Sequence, residues 1–112
     1  MWKEQDDLLY LLDENRIFSL EYPLLCPLCH QPSIHLYLHR FGDSSSGSAW
    51  VWCSHCKKYI HAQYRIPINW FNVDFIDEDL LTSNPAYLDT YATNIDHHMN
   101  QLITKKNSNV SP

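Results

Sequence analysis

The sequence predicts an α+β domain: a small three-stranded antiparallel sheet carrying two cysteine turns, flanked by an N-terminal helix and a longer C-terminal helix. Three observations lead there. Four cysteines occur in two matched pairs, Cys26-Pro27-Leu28-Cys29 and Cys53-Ser54-His55-Cys56. The residues between and just after them alternate apolar and polar at period two, as half-buried strands do. The segments on either side carry leucines and other apolar residues near helical spacing.

The N-terminal segment, residues 2–15, reads as a helix. Leu8, Leu9, Leu11 and Leu12 form its apolar stripe, and Glu4, Asp6 and Asp7 sit where the helix dipole favours anions. Ile17, Phe18, Leu20 and Tyr22 form an apolar connection, and Pro23 ends any helix before the first cysteine pair.

The cysteine module spans residues 24–66. Ser33 to Arg40 alternates as a strand, Gly42 to Ser48 is a loop by composition, and Ala49-Trp50-Val51-Trp52 leads as a strand into the second pair. Lys58 to Ile66 gives a third strand, with Tyr59, His61, Gln63 and Arg65 on one side and Ile60, Ala62, Tyr64 and Ile66 on the other.

After Pro67 the pattern changes. Asp77 to Leu81 fits one helical turn. Asn84 is a suitable cap and Pro85 a suitable first helical residue. Leu88, Tyr91, Ala92, Ile95, Met99 and Leu102 then recur at intervals of three and four, which predicts an amphipathic helix to about residue 104. The single domain thus divides into residues 1–22 (helix and connection), 24–66 (cysteine module), 67–106 (acidic helical region) and 107–112 (a mobile tail).

The cysteine spacing carries the chemistry. A C-x2-C turn converges two thiolates on one cation, and two such turns complete a tetrahedron of sulfur from Cys26, Cys29, Cys53 and Cys56. Zinc is the expected ion; iron in a rubredoxin-like site takes the same ligands. With all four positions filled by protein sulfur, no open site remains for water or substrate. A redox dithiol would call for a single C-x-x-C beside a βαβ pattern, which is absent here.

Seven histidines are present. His30 and His55 adjoin the cysteine turns and read as polar neighbours of the metal rather than ligands. His35 and His39 share a strand face and with His61 form a small cluster. His97 and His98 read as a solvated helix face. No nucleophile and no ordered acid–base pair accompanies them, so no enzyme is expected.

The net charge of −5 is unevenly distributed. Residues 1–21 hold six acids and two bases; residues 22–65 hold Arg40, Lys57, Lys58 and Arg65 against Asp43. Residues 66–104 hold Asp74, Asp77, Glu78, Asp79, Asp89 and Asp96 with no Lys or Arg. Such a stretch is either a solvated face or a surface for a cationic partner, for instance a nuclease whose phosphate groove it would mimic. Trp70, Phe71, Asp74, Asp77, Glu78 and Asp79 are the expected contact residues. Trp50, Trp52, Tyr59 and Tyr64 crowd the second cysteine pair, either as cover for a thin sheet or as a recognition surface. The acidic, polar N-terminus does not resemble a signal peptide, and no run of 18 apolar residues appears, so a cytoplasmic protein without a membrane span is expected.

Cys-Pro-Leu-Cys-His resembles the Cys-Pro-x-Cys-Gly turn of the zinc-ribbon superfamily, and Cys-Ser-His-Cys-Lys resembles its second turn. The resemblance covers about residues 24–66; His30 stands where Gly is usual, which implies a looser turn. It implies a structural zinc and does not by itself imply an activity. The run Trp-Val-Trp-Cys-Ser-His-Cys-Lys-Lys-Tyr, with Ile-Pro-Ile-Asn-Trp beyond it, is similar to small bacterial ribbon proteins of toxin–immunity loci. That similarity implies an immunity protein that binds a cognate toxin, such as the nuclease of a contact-dependent inhibition system. The competing expectation is a nucleic-acid-binding ribbon of transcription or RNA metabolism, with Arg40, Lys57, Lys58, Arg65 and the strand aromatics as its contact face.

Overall fold

The computed structural model describes residues 2–12, 21–42, 45–66, 70 and 72–110, the last eight of these by backbone alone. It is a mixed α+β structure built on one five-stranded sheet. The strands are β1 (Lys3–Glu4), β2 (Leu24–Leu25), β3 (Pro32–Arg40), β4 (Ser46–Cys53) and β5 (Lys58–Arg65), in the order β1-β5-β4-β3-β2. β2 through β5 pair antiparallel, whereas β1 joins β5 in parallel. The three expected strands form the centre of the sheet. The two additional ones are two-residue edges, too short to leave a periodic signal in sequence.

Register divides the central strands into two chemically distinct faces, since paired residues lie on the same side. Ile34 pairs with Cys53, Leu36 with Val51 and Leu38 with Ala49; Val51 and Ala49 continue to Ile60 and Ala62. That face is aliphatic. The other carries His35 opposite Trp52, Tyr37 opposite Trp50, and His61 opposite Trp50 on the far side. Both faces are buried through β3 and β4, so neither strand shows the polar-out half of a solvated sheet.

Gly47, near the start of β4, pairs with Arg40 of β3 and Tyr64 of β5. A Cβ there would run into the His39 carbonyl oxygen and the Ile66 side chain, with Ile66 Cδ1 at 2.8 Å. Only glycine fits such an approach.

The N-terminal segment is not the expected α-helix. Trp2 precedes β1, Gln5 donates its N–H to the Tyr59 carbonyl at 2.7 Å, and a 3-10 helix follows over Asp6–Leu12. Leu8 and Leu11, three apart, stack on one side of a threefold helix and are buried, while Leu9 is exposed. This element lies against β4 and β5. The expected connection at Ile17, Phe18 and Leu20 lies outside the described residues.

Beyond the sheet, the expected turn at 77–81 is a 3-10 helix over Glu78–Leu80. The Asp77 carboxylate accepts from the Asp79 N–H at 3.0 Å and caps it. The Asn84 side chain accepts from the Ala86 N–H at 2.8 Å and starts α1 (Ala86–Thr90). At Tyr91 the helix is interrupted, and α2 (Ala92–Val110) continues from there. α2 therefore carries helical backbone past residue 104 and into the segment expected to be a tail. Leu88, Ile95 and Met99 are buried, and α2 packs on β3. Among the described residues no helix is long and apolar enough to cross a membrane.

Candidate metal centre

Cys26 and Cys29 lie between β2 and β3; Cys53 ends β4 and Cys56 precedes β5. The β3–β4 pairing brings the two turns to the same end of the sheet, where Ile34 faces Cys53. One sulfur from each of the four cysteines falls within 4.8 Å of every other. Cys26 and Cys56 Sγ are 3.9 Å apart, and Cys29 and Cys53 Sγ are 3.6 Å apart. A tetrahedral ion with metal–sulfur bonds of about 2.3 Å requires sulfurs about 3.8 Å apart. The observed separations bracket that value and far exceed a disulfide bond, and all four thiols are free. The donor set therefore fits a tetrahedral thiolate-binding cation.

The two turns are built alike. The Leu28 N–H points to Cys26 Sγ at 3.4 Å, and the Cys56 N–H to Cys53 Sγ at 3.3 Å. The His30 N–H donates to the Cys26 carbonyl at 2.9 Å, and the Lys57 N–H to the Cys53 carbonyl at 3.0 Å. Each turn is closed by a residue at positive φ, 63° at His30 and 61° at Lys57. The looser first turn expected from the absence of glycine does not occur. His30 adopts the left-handed conformation itself, at a cost of about 1–2 kcal/mol.

Electrostatics single out Cys53. Burial alone would raise its thiol, but hydrogen bonds from the Cys56 N–H, the Ser33 hydroxyl and the neighbouring thiols outweigh burial and bring it down to about 7. Ser33 Oγ lies 2.9 Å from its sulfur. Burial pushes Cys26 up; burial and the adjacent Cys53 push Cys56 up to about 12. Without a cation Cys26 and Cys56 are held toward their protonated forms, so a divalent ion must displace those protons on binding.

Around the second turn stands a carboxylate that by sequence belongs only to the acidic stretch. Asp89, on α1, accepts from the Trp52 Nε1–H at 3.0 Å and from the Ser54 hydroxyl, and lies 3.6 Å from Lys57 Nζ. Lys57 also lies over the Trp2 ring, 4.7 Å from its centroid. Nothing in the sequence signals this convergence, because Asp89 lies more than thirty positions from its partners.

The remaining candidates separate. His30 and His55 are exposed and take no part in the sulfur cluster. His35, His39 and His61 share a face, but each has its own partner. His35 Nδ1 meets the Asp96 carboxylate, His39 Nδ1 meets the Tyr37 hydroxyl at 2.7 Å, and His61 stacks on Trp50 at 4.6 Å. Trp50 and Trp52 are interior, with Trp50 Nε1 donating to the Thr82 carbonyl at 2.8 Å. They cover the sheet and present no stacking surface to solvent.

Among the expected contact residues, Asp74, Asp77, Glu78 and Asp79 are exposed. Trp70 is a correction: it is only 5% exposed, edge-on to His98, and belongs to the core because its ring packs inward. Phe71 lies outside the described residues. Of the six acids in residues 66–104, Asp89 and Asp96 turn toward the sheet, which leaves four in an exposed run over residues 74–79.

Comparison of the chain with protein-family models, with curated proteins and with solved structures finds no match.

Proposed function

We propose that the protein is a non-enzymatic binding module whose fold is stapled by one structural zinc ion on Cys26, Cys29, Cys53 and Cys56. The sulfur tetrahedron carries this reading: four protein donors at the required separations leave no coordination position for a substrate. Zinc would supply folding free energy there rather than Lewis-acid chemistry.

The partner in this proposal is a cationic protein, and the contact surface is the exposed acidic run of Asp74, Asp77, Glu78 and Asp79 beside the exposed Leu80. An immunity protein that occupies the phosphate groove of a nuclease toxin in the cytoplasm is the specific form of it. Burial of Trp50 and Trp52 favours this reading over a nucleic-acid-binding ribbon, which would lose its stacking platform. Lys57, one of that reading's cations, is engaged with Asp89 and Trp2.

The test is to purify the protein together with the polypeptide encoded beside it and titrate the two. A stoichiometric complex that blocks nuclease activity is expected. It should weaken with added salt and in the variant combining Asp74→Asn, Glu78→Gln and Asp79→Asn. Salt-sensitive binding of oligonucleotides at physiological ionic strength, with no protein complex, would overturn the reading.

A further inference from the structure

The second cysteine turn and the acidic segment are joined by a short series of contacts that runs through one carboxylate. Ser54 lies between Cys53 and Cys56, and Lys57 follows Cys56. Both side chains reach Asp89. Asp89 lies near the end of α1, a five-residue helix that also carries Tyr87. The Tyr87 hydroxyl accepts the Asp77 N–H at 2.8 Å, and Asp77 in turn caps the 3-10 helix of Glu78 and Asp79. The series therefore runs from metal ligands to turn, carboxylate, helix and acidic surface.

Its first link depends on the cation. The turn places Lys57 at φ 61°, a conformation a lysine adopts only when its surroundings impose it. Otherwise one N–H···S contact, from Cys56 to Cys53, and the Lys57 N–H to the Cys53 carbonyl hold the turn from within, while backbone bonds from Ser54 to Ser33 and from Lys3 to Lys57 tie its ends to the neighbouring chain. With the four sulfurs bound to one ion, the positions of Ser54 and Lys57 are fixed, and so is the site that receives Asp89. Without the ion the turn can relax, and Asp89 keeps only Trp52, a side chain rooted in the sheet. A helix of five residues has no stability of its own and sits where its contacts put it.

We infer that Asp89 is a positioning residue coupling metal occupancy to the acidic surface, so that this surface is ordered for binding only in the metal-loaded protein. The inference rests on the reading of the four cysteines as a metal site, and none of its readouts requires the partner. The coupling is reciprocal: if the metal orders α1 through Asp89, the docked Asp89 must strengthen metal binding by the same factor.

Cobalt(II) is the probe, because its thiolate absorption reports the bound state directly. Asp89→Ala is expected to weaken cobalt affinity by about 10–100-fold, the range found when a group that supports metal ligands is removed. Ser54→Ala leaves Trp52 and Lys57 on Asp89, and is expected to weaken it by about 2–10-fold, as befits one hydrogen bond. Stripping the metal from the wild-type chain should accelerate amide exchange over residues 77–91. The same step should change exchange far less in Asp89→Ala, where those amides already exchange fast. Wild-type cobalt binding with exchange over 77–91 unchanged on stripping would overturn the coupling alone, as would affinities of both variants within twofold of wild type. A wild-type chain that takes up no cobalt on reduced thiols would overturn the coupling together with the metal reading.

Discussion

The Asp96 carboxylate grips Nδ1 of His35 with both oxygens, at 2.7 and 2.9 Å, between α2 and the centre of β3. The two residues are 6% and 8% exposed, so water offers neither a replacement partner. Close by, the Asn100 amide accepts from the Tyr22 N–H and donates to its carbonyl at 2.7 and 2.8 Å. α2 is thus held to the sheet side by polar clamps as well as by Ile95 and Met99. Asp96→Ala leaves a buried ring N–H without an acceptor and should destabilise the metal-loaded protein by about 2–3 kcal/mol in urea unfolding. Asp96→Asn keeps an acceptor and should cost less. A loss below about 0.5 kcal/mol for the alanine variant, the range of an ordinary surface change, would show that the clamp adds nothing.

Metal content is the most direct expectation. One zinc ion per chain should co-purify with reduced thiols. Chelation, or Cys53→Ser, should release the two cysteine turns and markedly lower the stability of the sheet they close, because the binding free energy of a structural zinc, roughly 10–16 kcal/mol in small peptides, is folding free energy. Elemental analysis together with circular dichroism checks both statements; iron in place of zinc would revise the ion, and neither metal would remove the site.

The first cysteine turn should be improvable. His30→Gly relieves a side chain held at φ 63° while keeping its backbone bond to the Cys26 carbonyl. A gain of about 1 kcal/mol is expected, after the larger chain entropy glycine carries in the unfolded state. Lys57→Gly relieves the same strain but surrenders the contacts with Asp89 and Trp2, so its gain should be smaller or absent. Equal gains from the two would mean that the Lys57 contacts contribute nothing to stability.

Gly47→Ala should be among the most damaging single changes outside the cysteines. Its methyl group would meet the His39 carbonyl of β3 and the buried Ile66 side chain, and neither a strand backbone nor a buried side chain moves aside easily. A loss of at least about 2 kcal/mol in thermal or urea unfolding is expected, in line with overpacking of a dense core.

Acid should weaken the fold through two histidines. Burial lowers His39 below its ordinary 6.5, with Glu78 opposing, and burial lowers His61, with Glu4 opposing. Tyr37, whose hydroxyl burial pushes up, stays protonated and shares a hydrogen bond with His39 Nδ1. The unfolded chain therefore takes up these protons first. Their contribution is constant above about pH 6.5 and turns unfavourable as pH falls below it toward the lower folded values. His39→Gln should flatten that part of the stability profile relative to wild type; an identical slope in both proteins would remove His39 as its source.

What the sequence disclosed follows how locally each feature is encoded. The four cysteines converge because two four-residue turns and one strand pairing suffice to bring them together, and all three carry local signals. β3, β4 and β5 appear near their expected positions for the same reason. Asp77 caps its 3-10 helix through a neighbour two residues away, and Asn84 likewise accepts from Ala86, although the cap position of that helix falls on Pro85, one residue later than expected. By contrast, His35 and Asp96 are 61 positions apart, and Asn100 and Tyr22 are 78 apart. Leu8 and Leu11 suit a 3-10 helix as well as an α-helix, and the local pattern does not decide between them. By charge and by neighbours Asp89 and Trp70 read as surface residues, whereas the fold turns both inward.

The pairing of β3 with β4 has a consequence for how the chain finds its fold. Cys29 and Cys53 flank this hairpin, and only the pairing that sets Ile34 against Cys53 closes the sulfur tetrahedron. A slip of one residue would exchange the aliphatic face for the aromatic one and carry Cys53 to the wrong side of the sheet. A cation that accepts nothing short of four sulfurs would then act as a proofreader of strand register, rewarding the one alignment in which both faces meet their proper neighbours.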